Sequence, residues 1–174
     1  MELLYLNIWN SIKKIFCYTL GLRKIVSLFI KPWKKYNNIT DIKIDELEKI
    51  INDYNIKLIL IDMDGTLKYR KIGITKENIE WVKSAKKLVN IVMITNASDK
   101  LASKEAKKVD IKYFCHARKP SRKGFNRIIK DMNVNKGNVL FIGDALVADI
   151  WGAKRVGISK TILVNDLNVY YDKI

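Results

Sequence analysis

The sequence predicts an α/β protein built on a doubly wound, mostly parallel sheet of five strands. The first observation is a set of short apolar runs, rich in β-branched residues and lacking polar alternation, which is typical of strands buried on both faces. The runs are 58–61, 91–94, 139–142, 161–164 and, more weakly, 111–115. The second observation is that segments of helical periodicity separate them, and this alternation produces parallel doubly wound sheets.

Four helices are predicted between the strands. Thr75, Ser98 and Ser121 each precede a helical pattern and are suitable N-cap residues. A fourth pattern begins near Val147 and ends at Gly157. Ligands of doubly wound sheets bind beyond the carboxyl ends of the strands, so polar residues that follow the strands are the candidates for a functional site.

Size and charge limit the possible functions. The 174 residues, 48% hydrophobic with 2 Pro, fit one folded domain with a short extension. Cys17 and Cys115 lie far apart, which favours a reduced, intracellular protein without a disulfide framework or zinc site. The net charge of +15 would attract nucleic acid, anionic membranes or phosphorylated substrates. A lysine-rich surface without such a role is the alternative.

The segment 62–66, Asp-Met-Asp-Gly-Thr, follows the most apolar strand. Residues i and i+2 of an extended segment project to the same side, so Asp62 and Asp64 are expected to face one crevice. Two carboxylates there need a compensating cation, and their hard oxygen atoms suit Mg²⁺. Gly65 and Thr66 allow a sharp turn that presents N–H groups to an anion. An acidic turn that only caps the next element is the alternative.

The other strands also end in polar residues. Thr95 and Asn96 follow the second strand and precede a helix, which is a suitable seat for phosphate. Lys119 precedes a proline at a helix start, where its charge could be held against a phosphoryl group. Asp144 ends the fourth strand and could reach the same metal ion as Asp62, with Asp149 in support. Taken singly, Thr95 could be a capping residue and Lys119 a solvated surface residue.

These residues, in this order, resemble the four motifs of the haloacid-dehalogenase-like (HAD) phosphohydrolases, which have a Rossmann-like sheet. The segment 62–66 is similar to the first motif, Thr95 to the second, Lys119 to the third, and Gly143-Asp144 with Asp149 to the fourth. The likeness is closest to the YqeG-type branch, which is related to the mitochondrial phosphatidylglycerophosphate phosphatase. It is carried by Lys31-Pro32, Leu47, 117–120, 123–127, 142–150 and 161–164. That branch often has Asn at the position of Gly65, where glycine is common across the superfamily.

The resemblance implies a mechanism. Asp62 would be the nucleophile that forms an aspartyl-phosphate, and Asp64 the general acid and base. Mg²⁺ would be held by Asp62, the backbone carbonyl of Asp64 and Asp144, with Asp149 in support. Thr95, Asn96 and Lys119 would bind the phosphoryl oxygens.

The motif spacing leaves no room for a cap domain, because 29 residues separate Thr66 from Thr95 and 24 separate Thr95 from Lys119. A capless site is open to a large or surface-bound phosphomonoester. Together with the branch resemblance, this predicts dephosphorylation of phosphatidylglycerophosphate to phosphatidylglycerol in phospholipid (cardiolipin precursor) synthesis. Lys68, Arg70 and Lys71 could contact the phosphodiester of such a lipid, or could be solvated lysines and arginines.

Residues 1–37 are predicted to be a basic, amphipathic helical extension, and residues 38–174 the catalytic domain. The uncharged run 3–12 is too short to span a bilayer, and the segment lacks the features of a secretory signal. On a helical projection, apolar residues fall on one side and most polar residues on the other, with Trp9 and Trp33 as possible interface anchors. The apolar side comprises Ile8, Ile12, Ile15, Phe16, Val26 and Ile30. The expected location is therefore cytoplasmic and peripherally membrane-associated; packing of this segment on the domain or on a second subunit is the alternative.

Two other functions remain open. An open basic site would also admit nucleic-acid ends or phosphoproteins, although no basic motif with interleaved aromatic residues indicates nucleic-acid binding. The chain could instead be a non-catalytic module that binds RNA or membranes. The presence together of all six motif residues argues against that: Asp62, Asp64, Thr95, Lys119, Asp144 and Asp149.

Overall fold

A computed structural model describes residues 29–69 and 72–164. Its main sheet has six parallel strands, in the order β1-β8-β7-β2-β5-β6. In chain order these are β1 Lys34–Tyr36, β2 Leu58–Ile61, β5 Asn90–Ile94, β6 Lys112–Phe114, β7 Val139–Gly143 and β8 Lys160–Val164. Two further strands, β3 Lys68–Tyr69 and β4 Gly73–Ile74, form a separate antiparallel hairpin. The predicted fold class is confirmed.

Among the described residues five α-helices connect the strands, and three of them, α2, α3 and α4 in the list that follows, begin directly after a predicted capping residue. They are α1 Ile44–Asp53, α2 Lys76–Ala85, α3 Asp99–Val109, α4 Arg122–Asp131 and α5 Gly152–Arg155. Thr75 Oγ1 accepts a hydrogen bond from Asn78 N at 3.2 Å, and Ser121 Oγ accepts one from Lys123 N at 3.4 Å. Ser98 is the N-cap residue of α3 without a side-chain bond. A π-helix, Leu146–Trp151, precedes α5 directly.

The core lies on both faces of the sheet, as the apolar runs predict. All four residues of β2 are buried, with Ile59 and Ile61 on one face and Leu58 and Leu60 on the other. Helices α1, α2 and α3 cover the first face, and α4 and α5 cover the second. The buried helix residues that show this arrangement are Leu47, Val82 and Ala102 on the first face, and Phe125, Ile128 and Ala153 on the second.

The structure extends the prediction at the amino-terminal end of the domain. A sixth strand, β1, pairs with β8 at the sheet edge, so the compact unit that contains the sheet begins at Pro32 and not at residue 38. Helix α1 was not predicted either. Trp33, one of the two proposed interface anchors, is half-buried with its ring centroid 5.1 Å from that of Tyr54. Residues 1–28, with most of the predicted amphipathic segment, lie outside the described residues, and so do Arg70 and Lys71.

The loops that carry the predicted site residues have no inserted domain in the part of the chain that is described. The β3–β4 hairpin and α2 occupy the span from Thr66 to β5, and α3 with β6 occupies the span from Thr95 to Lys119. The predicted capless architecture is therefore confirmed. Within residues 29–69 and 72–164, no helix combines the length and apolar character needed to cross a membrane.

Candidate active site

The strand order reverses between β2 and β7, and this reversal brings together the loops that carry the predicted site residues. From β2 the chain proceeds outward to β5 and β6, then returns to place β7 on the opposite side of β2. The loops that follow β2 and β7 therefore diverge, and a crevice opens between them at the carboxyl edge of the sheet. Asp62 follows β2 and donates a backbone hydrogen bond to Ile142 O of β7 at 2.9 Å. Asp144 directly follows β7.

Three carboxylates meet at this point. Oxygen atoms of Asp62, Asp144 and Asp149 all lie within 4.8 Å of one another. Asp62 is 5% exposed and Asp149 1% exposed, whereas Asp144 is half-buried. The sequence predicts metal-ligand roles for all three, and the structure brings these three side chains together.

The π-helix places Asp149 inside the crevice. The backbone N–H groups of Asp149 and Ile150 both donate to Ala145 O, at 2.9 and 3.2 Å, which widens the first turn after Asp144. Asp149 Oδ2 in turn accepts a hydrogen bond from Ala145 N at 3.0 Å. The carboxylate is thus fixed to the backbone of its own turn, and its other oxygen, Oδ1, points to Lys119.

Lys119 is the buried counter-charge of this cluster. Its Nζ donates to Asp149 Oδ1 at 2.6 Å and also to Asp62 Oδ1, and its side chain is only 3% exposed. The backbone of Lys119 is held as well, because Asn96 Oδ1 accepts from Lys119 N at 2.7 Å and Asn96 Nδ2 donates to Lys119 O at 3.1 Å. The lysine is therefore positioned at both its backbone and its ammonium group.

The charges in the cluster shift one another's pKa values. Burial raises the pKa of Asp62 well above its usual range, and Asp149 adds to this, while Lys119 opposes it. Burial, with Asp149, raises the pKa of Asp144 to about 7. Burial alone would lower the pKa of Lys119, but Asp149 and Asp62 outweigh it and raise that pKa. The ammonium group therefore stays charged at neutral pH.

Thr95 and Asn96 follow β5 next to this cluster, with different contacts. Thr95 is 1% exposed, and its Oγ1 accepts a hydrogen bond from Ala97 N at 3.0 Å. Among the described residues the Thr95 hydroxyl donates no hydrogen bond, so its hydrogen is available to an anion. Asn96 was predicted to bind phosphate, yet both polar atoms of its side chain contact the backbone of Lys119. A direct contact of Asn96 with phosphate stays a prediction.

The Asp64 carboxylate lies apart from the three-carboxylate cluster. Its Oδ1 accepts from Lys68 Nζ at 3.1 Å, and its side chain is 55% exposed. This position leaves the carboxylate free to act on a substrate from the solvent side. The predicted contribution of Asp64 to a metal site through its backbone carbonyl stays a prediction.

Two glycines make room for the carboxylates. Gly65 has φ +84°, and a Cβ there would lie 2.2 Å from Asp144 Oδ2. A Cβ on Gly143 would lie 2.6 Å from Asp149 Oδ2. The sequence shows both glycines within motifs, but only the structure shows that each is required by a carboxylate that follows later in the chain.

The donor set fits a hard divalent cation. Three ionised carboxylates with a single ammonium group would leave an excess of negative charge in a largely buried crevice, which is unfavourable without a further cation or a bound proton. All the candidate ligands are oxygen atoms, as Mg²⁺ prefers. The residues that would hold the ion are Asp62 and Asp144, with Asp149 beside them.

Comparison with known proteins agrees with this geometry. A family model for haloacid dehalogenase-like hydrolases matches residues 68–157, just over half of the chain. The protein of Bacillus subtilis (strain 168) named Probable phosphatase YqeG is 30% identical over 138 residues, which cover 78% of this chain and 77% of YqeG.

Solved structures show the same fold at low identity. An uncharacterized protein from Listeria monocytogenes serotype 4b has a TM-score of 0.53 at 13% identity, covering 68% of this chain and 100% of that one. The cobalt-bound deoxy-D-mannose-octulosonate 8-phosphate phosphatase of Haemophilus influenzae has a TM-score of 0.51 at 16% identity, covering 68% and 74%. YfnB of Bacillus subtilis, described as a HAD hydrolase bound to magnesium, has a TM-score of 0.51 at 14% identity, covering 63% and 87%. From the family match and the identity to YqeG, we conclude that this chain belongs to the haloacid dehalogenase-like hydrolase family.

Proposed function

We propose that this protein is a Mg²⁺-dependent phosphomonoester hydrolase in which Asp62 forms an aspartyl-phosphate. The observation that carries the proposal is the contact of Lys119 Nζ with Asp62, a carboxylate that shares its crevice with Asp144 and Asp149. A cation beside the nucleophile favours the approach of a phosphate dianion, which the carboxylates alone would repel. The name of the relative YqeG supports the same reaction class.

The reaction proceeds in two steps. A carboxylate oxygen of Asp62 attacks phosphorus, the bond from phosphorus to the alcohol oxygen breaks, and Asp64 gives its proton to that oxygen. Asp64 then takes a proton from water, whose oxygen attacks phosphorus, and the bond to Asp62 breaks to release inorganic phosphate. Lys119 Nζ and the Thr95 hydroxyl hold phosphoryl oxygens during both steps, and Asn96 keeps Lys119 in place.

Asp62 and Asp144 are the proposed Mg²⁺ ligands, together with the Asp64 carbonyl and with Asp149 in support. When bound, the ion would supply positive charge that offsets the carboxylates and the phosphoryl group. Mg²⁺ would thereby complement Lys119, because one ammonium group cannot balance the charge of three carboxylates and of the substrate's phosphate dianion.

The proposed substrate is phosphatidylglycerophosphate, which would be converted to phosphatidylglycerol in phospholipid (cardiolipin precursor) synthesis. Three features support it: the capless site, the resemblance of the sequence motifs to the branch related to the mitochondrial phosphatidylglycerophosphate phosphatase, and the net charge of +15, which favours an anionic lipid surface. The proposed location is the cytoplasmic face of a membrane, with residues 1–31, which precede the compact unit of the sheet, as a peripheral anchor.

The test is phosphate release from phosphatidylglycerophosphate in mixed micelles, with and without Mg²⁺, beside a nucleotide monophosphate as a soluble substrate. We expect Mg²⁺-dependent release that is faster from the lipid. Equal or faster release from the nucleotide would contradict the lipid assignment. Absence of release from any phosphomonoester, including a phosphopeptide and a 5′-phosphorylated oligonucleotide, would contradict the phosphatase assignment and favour a non-catalytic binding module.

A further inference from the structure

Lys68 is attached to the catalytic loop by its backbone. Its N–H donates to Met63 O at 2.8 Å, and its carbonyl accepts from Gly65 N at 2.9 Å. The β3–β4 hairpin adds a third constraint, since Lys68 pairs with Ile74. The Cα atom of Lys68 is therefore fixed relative to the loop that carries Asp62 and Asp64.

The side chain of Lys68 returns towards the same loop. Its Nζ lies 3.1 Å from Asp64 Oδ1, and the side chain is 16% exposed. For comparison, the pair of Lys83 and Glu80 on α2 has a similar separation, 2.8 Å, but its side chains are 57% and 69% exposed. An exposed pair such as Lys83 and Glu80 contributes little to stability. The Lys68 side chain is instead largely shielded from solvent, so its position beside Asp64 calls for an explanation.

The position of Lys68 beside Asp64 and the positive charge of its ammonium group together indicate a role in substrate binding. Asp64 is the proposed general acid, so during the reaction its carboxyl group must lie within hydrogen-bonding distance of the alcohol oxygen that leaves. Lys68 Nζ is one hydrogen bond from Asp64 Oδ1, so an Asp64 carboxyl group that reaches the leaving oxygen also brings Nζ towards the leaving alcohol. One hydrogen bond joins the leaving oxygen to Asp64 and a second joins Asp64 to Lys68 Nζ. Together with the distance between the two carboxylate oxygens, these lengths put Nζ roughly 6–8 Å from the leaving oxygen.

We propose that Lys68 binds a second anionic group on the leaving alcohol and thereby determines substrate specificity. The preferred substrates are phosphomonoesters whose alcohol carries a phosphodiester or phosphate about three carbons from the ester oxygen. An extended chain of five bonds spans roughly 6 Å, which matches the reach of Nζ. The ammonium group then exchanges Asp64 for the second anion, or contacts both, in the bound state.

This inference rests on the proposed function and deepens it, because it selects one class among phosphomonoesters by the charge of the leaving group. It needs no membrane, since the second anion can be presented on a soluble compound. Its test can therefore be separated from the test of the lipid assignment.

The experiment compares two soluble substrates in which the phosphate to be released is esterified to a glycerol carbon. Glycerophosphoglycerol phosphate carries the second anion, and glycerol 3-phosphate lacks it. We expect the full-length wild-type protein to favour the first, and Lys68→Met to lower the ratio of the two kcat/KM values by about 10- to 100-fold, mainly through KM. Lys68→Arg should restore most of the ratio. Lys83→Met, in the exposed pair on α2, is the matched control and should leave the ratio unchanged.

The other outcomes contradict the inference. An equal loss with both substrates would show that Lys68 only positions Asp64, and an unchanged ratio would show that it has neither role. Equal wild-type kcat/KM for the two compounds would also overturn the inference while leaving the phosphatase assignment intact. If the wild type released phosphate from no phosphomonoester, the proposed function would fall and this inference with it.

Discussion

Asn96 and Lys119 are joined by two opposed hydrogen bonds, although 23 residues separate them in the chain. The amide oxygen of Asn96 accepts from Lys119 N at 2.7 Å, and its amide nitrogen donates to Lys119 O at 3.1 Å. The end of β5 thereby fixes the backbone of the loop that follows β6. We therefore expect the reach of the Lys119 ammonium group to Asp62 to depend on this pair, with Asn96 as a positioning residue.

Asn96→Ala should therefore lower kcat by about 10- to 100-fold, because small displacements of a catalytic group have effects of that size. Loss of both hydrogen bonds leaves buried backbone groups without partners and should also reduce the free energy of unfolding by about 1–3 kcal/mol. Steady-state kinetics and denaturant unfolding would measure the two effects. Asn126→Ala, at an exposed position on α4, is the control. An unchanged kcat in Asn96→Ala would contradict the positioning role.

Asp62→Asn should abolish turnover while preserving the fold. The amide oxygen can still accept from Lys119, but an amide cannot form the phosphoenzyme, so kcat should fall by at least about a thousandfold. Circular dichroism and thermal unfolding would confirm that the protein is folded. Substantial residual activity in a folded variant would remove Asp62 as the nucleophile.

Binding of Mg²⁺ should depend on pH through Asp144, whose pKa burial raises to about 7 in the absence of an ion. In the unfolded chain this carboxyl titrates near its usual value of 3.8. Between these values the folded state binds more protons, so the metal-free protein should lose stability as the pH rises from about 4 to 7. Mg²⁺ offsets the negative charge, so its increase in Tm should be larger at pH 8 than at pH 5.5.

Thermal unfolding in EDTA and in Mg²⁺ across this range would measure the effect. Asp144→Asn is the matched variant, because it keeps the shape of the side chain and removes its charge. We expect it to lose most of the Mg²⁺-dependent shift. An identical shift at pH 5.5 and pH 8 in the wild type would argue against Asp144 as a ligand.

Gly65→Ala should disrupt the site. The φ of +84° is unfavourable for alanine by about 1–3 kcal/mol, and the new Cβ would collide with the Asp144 carboxylate. We expect loss of Mg²⁺-dependent stabilisation and a fall in kcat. Gly137→Ala is the matched control, because its Cβ would meet no atom within 4 Å. Equal tolerance of the two substitutions, measured by Tm and phosphate release, would contradict the close approach of Gly65 to Asp144.

The sheet and the identity of the site residues were predictable because each depends on local sequence. Unbroken apolar runs such as 58–61 indicate strands buried on both faces, and the polar residues after them follow from where parallel strands end. Asp62, Asp144, Asp149 and Lys119, predicted separately, lie together in the structure. Their catalytic and metal-binding roles stay predictions.

Other features could not be predicted because they depend on partners distant in sequence. Strand β1 is Lys-Lys-Tyr, which has no apolar run, and it is a strand only because β8 offers a free edge more than 120 residues later. Asn96 looks like a phosphate ligand until its bonds to Lys119 are seen. The π-helix replaces an expected α-helical turn because Ala145 O accepts two N–H groups.

The position of β7 between β2 and β8 bears on when the enzyme could first become active during its synthesis. The proposed nucleophile Asp62 leaves the ribosome early, but its partners Asp144 and Asp149 follow strand β7 and are made some eighty residues later. A nascent chain that ends before this strand would hold the proposed nucleophile, the proposed phosphate seat and Lys119 without Asp144 and Asp149. Catalytic activity would then appear only late in synthesis, when the central strand β7 joins the partly formed sheet.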